Sequence, residues 1–182
     1  MTNSNKTICV VWTGKEKQII KKMNLSKEGQ DVQILVLLLG KRDQKVNVDI
    51  FVNHAKSRTQ SRVVVKGVLF DRAQAEVNGR VSIEKGAVDS KAWLEAKLLL
   101  LSEKASGRVE PNLEICENEV VAGHATTVGQ VNEEELFYLM SRGLPTETAT
   151  RLLVRGFLSS ILAEFPSSYK IYEKLEKRLS HI

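Results

Sequence analysis

The side chains best equipped for chemistry sit close together in the chain: Glu114, Cys116, Glu117, Glu119 and His124. Thiolate, imidazole and carboxylate are the groups with which proteins hold transition metals. Each residue also has a plainer explanation. Cys116 suits a small core position. His124 suits a hydrogen-bonded junction between strand and helix, and the three glutamates suit a charged loop edge. No nucleophile is paired with a base, and no zinc spacing occurs. The one glycine-rich hint, Gly123 to Gly129, lacks the lysine of a phosphate loop. The reading is of a chain that is not an enzyme and has no intrinsic nucleotide site.

The 182 residues are 42% hydrophobic and 27% charged, enough for one domain, or one with a small appendage, around a buried core. Aromatics are only 5%, so that core must be mostly aliphatic. The 27 basic residues against 22 acidic ones give a net charge of +5, but they are scattered in pairs such as Lys21-Lys22 and Lys41-Arg42. A solvated mixed surface is expected rather than a nucleic-acid groove. Two cysteines, Cys9 and Cys116, are too few for a disulfide framework. Cys9 is distant in sequence and is given no role. Met1 to Lys6 lacks the pattern of a secretion leader. The longest apolar run, Ile34 to Leu39, falls far short of the roughly 20 residues of a membrane helix. The expectation is a soluble, cytoplasmic protein with no membrane contact.

The elements that must position the candidate residues divide near residue 131. Before it the pattern is strand-like. Thr7 to Trp12 opens the series, and Lys15 to Met23 is ambiguous. Val32 to Leu39 is almost continuously apolar. Val46, Val48, Ile50 and Val52 share one strand face, and Asn53 to Gln60 is polar. Arg62 to Phe70 follows, interrupted at Gly67. Ala73 to Val77 and Val81 to Ile83 are set apart by Asn78-Gly79, a strong turn signal. Trp93 to Leu101, Val109 to Cys116 and Val120 to Val128 complete the run. Strand candidates at intervals of about 10 to 12 residues fit either an antiparallel sandwich or barrel or a β-solenoid of stacked coils.

After residue 131 the pattern is helical. Asn132 with Glu135 three residues on fits a capping box, and Glu133 to Glu135 place negative charge on the first turn. Leu136, Phe137, Leu139 and Met140 form an apolar face, and Gly143 suits the helix end. Leu144-Pro145 restarts the chain. From Thr148 to Phe165, Leu153, Phe157 and Ile161 run beside Val154, Leu158 and Leu162 as i, i+4 rows. Pro166 breaks this helix, and Ser168 to Leu179 forms an amphipathic last one through Ile171, Tyr172, Leu175 and Leu179.

The segment from His124 through Ala125-Thr126-Thr127 to Leu136-Phe137-Tyr138 and Ser141-Arg142-Gly143-Leu144 resembles the C-terminal signature of the SufB/SufD family. These are the scaffold proteins of SUF-type iron–sulfur cluster assembly. Arg151 to Leu158, Gly67 to Ala73, Leu98 to Glu103 and Glu110 to Ile115 resemble the family too, in the family's order. The resemblance implies a right-handed parallel β-helix core over residues 1–131 and a C-terminal α-helical domain over 132–182. It also implies pairing of two β-helices through their C-terminal coils, as a homodimer or a heterodimer with a SufB/SufD-like subunit. The helices are implied to dock a SufC-like ATPase, for which Leu136, Phe137, Leu153 and Phe157 are the candidates. The chain is shorter than typical members.

On this resemblance His124 stands where the family carries a histidine implicated in cluster assembly. Where many members have a cysteine two residues earlier, this chain has Ala122. Cys116, with Glu114 and Glu117 nearby, is the remaining candidate for holding a transient iron–sulfur cluster. A cluster bound by cysteine alone takes about four thiolates. The expectation is therefore a seam where two Cys116 and two His124 meet across a dimer. The alternative is an interaction protein of the same fold that binds no cluster. A β-helix acting on polysaccharide would want an acidic, aromatic-lined groove, and none is evident.

Overall fold

The computed structural model describes residues 5–179. Met1–Ser4, part of the stretch set against a secretion leader, lie outside the described residues. Among the described residues are nine strands, three α-helices and one short 3-10 turn. The odd strands, β1 (Asn5–Trp12), β3 (Asp31–Gly40), β5 (Gln60–Leu69), β7 (Lys91–Leu100) and β9 (Val121–Gln130), form one sheet in chain order. The even strands, β2 (Gln18–Leu25), β4 (Lys45–His54), β6 (Gln74–Ile83) and β8 (Ser106–Ile115), form the other. Every pairing is parallel. Gln60 stands beside Asp31, Lys91 beside Gln60 and Val121 beside Lys91, so one coil takes about 30 residues. The fold is a two-sheet parallel β-solenoid followed by helices, which decides between the two architectures that spacing left open.

Burial follows strand parity. β4 and β6 alternate strictly, with Val46, Val48, Ile50 and Val52 inward and, apart from Phe51, polar residues outward. One face of the even sheet packs in the core and the other meets water. β3 and β5 are buried nearly end to end. Their inward residues, including Ile34, Val36, Leu38, Val63 and Val65, join the solenoid core. Their outward residues, Leu35, Leu37, Leu39, Val64 and Val68, form a second core with Val154, Leu158, Ile161, Leu162, Leu175 and Leu179. The helices α2 (Thr146–Glu164) and α3 (Ile171–Leu179) therefore fold back over the odd sheet. A sheet covered on both faces reads as a continuous apolar run.

Polar anchors fix that return. Lys66, buried on the outer face of β5, donates to the Phe157 carbonyl at 2.7 Å and to the Ser160 hydroxyl at 2.8 Å. The Arg62 guanidinium makes a two-point ion pair with Glu164, which also accepts from Gln33 at 2.5 Å. Hydrogen bonds from Arg62 hold the Glu164 carboxyl below the usual carboxylate range. Farther along, the Tyr169 hydroxyl donates to the Cys9 carbonyl at 3.3 Å.

The structure departs from the sequence reading in places: the last helix starts at Ile171 rather than Ser168, after a 3-10 turn at Ser167–Tyr169. The ambiguous stretch after Trp12 is a strand, β2. Asn78-Gly79 is not a turn: β6 runs straight through it, with Gly79 between Ile50 and Pro111 in the ladder. The glycine is there for space, since a Cβ at residue 79 would lie 2.3 Å from Cδ1 of Leu94. Asn78 instead donates to Asp49 Oδ1 at 3.0 Å on the outer face. Gly79→Ala is accordingly expected to lower stability by about 1–3 kcal/mol, the usual cost of overpacking. Leu94→Val should couple to it in a denaturation double-mutant cycle. Independent, additive costs would mean that the glycine serves the backbone rather than Leu94.

Candidate functional site

The solenoid ends on β8 and β9, each pairing on one side only. His124 stands beside the buried, inward-facing Leu94 in the register of β7 and β9. Parity therefore puts Ala122, His124, Thr126 and Val128 on the inner face of β9. Pairing with the inward residues Val81 and Ile83 likewise puts Leu113 and Ile115 on the inner face of β8. On a middle coil these positions are closed by the next coil. Here His124 and Thr126 are exposed, Ile115 is 44% exposed and Val128 38% exposed. The end of the core is thus uncapped, with a histidine on its inner surface.

Cys116 follows β8 directly and is exposed, its N–H donating to the Ile83 carbonyl at 2.9 Å. Glu114 stands beside Ser82 and faces outward from the even sheet. Glu117 is buried and engaged in the backbone. One carboxylate oxygen accepts from the Gly86 N–H at 2.9 Å, the other from the Asn118 N–H at 2.8 Å, and Lys85 lies 3.8 Å away. The Gly86 bond, then the Asn118 bond, hold its carboxyl below the usual range. Glu117 thus ties the last turn to the one beneath it. Among the described residues, no three His, Cys, Asp or Glu side chains gather as a metal cage. What the end offers is an exposed imidazole and an exposed thiol beside apolar surface. Imidazole and thiolate are both groups that can ligate iron.

The partner-docking candidates lie on α1 (Glu133–Ser141) and α2. Asn132 caps α1 by accepting from the Glu134 and Glu135 N–H groups, and Gly143 takes a positive φ of 90° at its end. None of the residues of α1 is buried. Phe137 is 72% exposed, with Tyr138, Met140 and Leu152 also out. Leu136, Leu153 and Phe157 are half-buried, and Phe157 packs against the helix–sheet core and beneath the Lys66 ammonium. An apolar groove of about 420 Å³ runs between the end of β9 and α2, past Leu99, Val131, Leu152, Leu153 and Phe157.

The sequence reading passed over His54. It is fully buried, with Nδ1 at 2.8 Å from the Thr59 hydroxyl and Nε2 at 2.8 Å from that of Ser61. The Thr59 hydroxyl also reaches the Lys56 carbonyl and the Ser90 hydroxyl. A signal was present: the inward series Val46, Val48, Ile50, Val52 continues to residue 54 at the same parity.

Parallel stacking, an open terminal coil carrying His124 and Cys116, and helices folded on one sheet define a two-sheet parallel β-solenoid with a C-terminal helical cover. Residues 4–157 match the family model described as the SUF system FeS cluster assembly, SufBD core domain. The chain is 38% identical over 143 residues to the iron–sulfur cluster assembly protein SufD of Bacillus subtilis, covering 79% of this chain and 33% of that protein. It is 34% identical over 161 residues to a SufBD family protein of Mycobacterium tuberculosis, covering 84% of this chain and 40% of the relative. A second protein of that family and organism is 32% identical over 139 residues, covering 76% and 16%. The chain belongs to the SufBD family of the SUF iron–sulfur cluster assembly system. It spans at most 40% of the length of these three relatives. Among the described residues no helix is long and apolar enough to cross a membrane.

Proposed function

We propose that this chain is a scaffold subunit of SUF-type cluster assembly. It pairs with a second SufB/SufD-like solenoid across its open last coil and docks a SufC-like ATPase on α1 and the adjoining face of α2. The uncapped coil carries the reading. Inner-face residues that are buried on earlier coils are exposed here, beside the free edges of β8 and β9. Free strand edges with exposed apolar residues are surfaces that proteins cover. Covering this one with a second solenoid would bring two His124 and two Cys116 to one seam, enough donors for a transient cluster held as cargo. The bare apolar face of α1 supports the second docking surface.

A second reading, an interaction protein of the same fold without cluster chemistry, is favoured by the absence of a one-chain ligand cage among the described residues. Size exclusion with light scattering tests the scaffold. The 20.4 kDa chain should run as a pair, or pair with a longer relative. Mixed with the ATPase it should form a complex that Phe137→Glu with Leu152→Glu abolishes in a folded protein. Anaerobic reconstitution then separates the readings. The scaffold takes up iron and sulfide, and Cys116→Ser with His124→Ala lowers that uptake severalfold. No pairing and no complex would remove the scaffold reading.

A further inference from the structure

The chain's two tryptophans have opposite fates: Trp12 is fully buried, whereas Trp93 is 45% exposed. Ala92 and Leu94, on either side of it in β7, belong to the solenoid core, so parity turns Trp93 to the outer face of the odd sheet. In the register it stands between Arg62 on β5 and Gly123 on β9. Arg62 is engaged with Glu164, the last residue of α2. Toward β9 the ring lies over Gly123: a Cβ at residue 123 would fall 2.6 Å from Cζ3 of the indole and 3.1 Å from Cε3. The glycine lets the ring reach from β7 across the last strand of the sheet. Among the described residues, β9 has no strand partner on its other side.

Beyond the ring, the outer face of β9 is low. Its outward residues are Val121, Gly123, Ala125, Thr127 and Gly129, and a Cβ at residue 129 would meet nothing within 4 Å. A large aromatic ridge therefore stands beside a shallow strip of small residues. Val121 is exposed at the start of that strip, and Val128 and Ile115 are exposed on the inner face of the same end. A ridge and a shallow strip on one face are self-complementary. A two-fold axis sets the ridge of each copy against the strip of the other, as an isologous interface requires. Burying an aromatic ring is among the largest gains that one side chain brings to an interface, and tryptophan is enriched at such anchor points.

We propose that Trp93 anchors a two-fold pairing with a second copy of this chain, each indole packing on the small-residue strip of the other copy's β9. The inference rests on the pairing across the last coil set out above, and adds its occupant and its central contact. Sedimentation equilibrium of the full chain should give a dimer constant that Trp93→Ala weakens about tenfold or more, about 1.4 kcal/mol. Gly123→Ser, which keeps the ring but pushes it off β9, should also weaken it. Ile20→Thr, at an exposed position on the outer face of the even sheet, should leave it unchanged. Tryptophan emission should move to shorter wavelength as the chain is concentrated through that constant. Trp93→Phe, which leaves only the buried Trp12, should abolish the shift. Thermal melts of the dilute variants check that each is folded. Unweakened pairing in Trp93→Ala, or pairing with no emission shift, would overturn the anchor and leave the pairing surface standing. Pairing with a longer relative alone would overturn the second copy as occupant. Pairing with neither at high concentration would remove this inference together with the reading beneath it.

Discussion

Leu158→Ala is expected to lower the unfolding free energy by about 2–5 kcal/mol, the range for truncating a buried leucine. Leu158 is fully buried in the core shared by α2 and the outer face of the odd sheet. Its neighbours there belong to strands that are themselves closed on their inner side, so the cavity cannot easily collapse. Lys66→Met is the matching control, at the same interface. It removes a buried ammonium whose desolvation lowers its pKa and replaces it with an apolar chain of similar length. The Phe157 carbonyl keeps its place in the helix, and the Ser160 hydroxyl can bond within its own turn. The expected change is within about 1 kcal/mol, because an apolar replacement of a buried charge is often neutral. Urea denaturation of both variants decides the point. If Leu158→Ala costs under 1 kcal/mol, apolar burial does not hold α2 on the sheet. If Lys66→Met costs more than Leu158→Ala, the polar anchors dominate.

Parity made the buried strand faces readable, while the stacked parallel coil was implied by the family resemblance. Val46 to Val52 alternates because one face of its sheet is wet. Val32 to Leu39 does not alternate because helices cover the second face. The difference was visible in the chain, but its cause lay more than a hundred residues downstream. Asn78-Gly79 misled because the same dipeptide serves a tight turn and a close side-chain approach, and only Leu94 across the core distinguishes them. At the candidate site, Cys116 stood out by residue type and His124 by the family resemblance, whereas the exposure of His124 follows from its place on the last strand of the odd sheet. Glu117 looked like a loop carboxylate, and its bond to Gly86 depends on stacking between turns about 30 residues apart.

Acid should destabilise this fold before its carboxylates titrate, through His54. Burial pulls its imidazole pKa from 6.5 down to about 4. Its bonded partners, Thr59 and Ser61, are neutral. The Thr59 hydroxyl donates to the Lys56 carbonyl at 2.9 Å. Its oxygen is then free to accept from His54 Nδ1–H, and Nε2 accepts from Ser61. The neutral ring is satisfied in this arrangement, whereas a charged one would have no counter-ion. Between pH 6.5 and 4 the unfolded chain binds the proton and the folded chain does not, so stability falls as pH falls across that window. The full loss is roughly 3 kcal/mol, at about 1.4 kcal/mol per pH unit. Glu164 and Glu117, with lowered pKa values, lose their contributions only as pH drops through the carboxylate range and below. Denaturation midpoints between pH 7 and 5 therefore isolate the histidine. His54→Gln, which keeps hydrogen-bonding capacity without a titrating group, should flatten the slope there even if the variant is less stable throughout. A slope that survives the substitution would mean that another group carries the acid sensitivity and that His54 takes up its proton inside the folded solenoid.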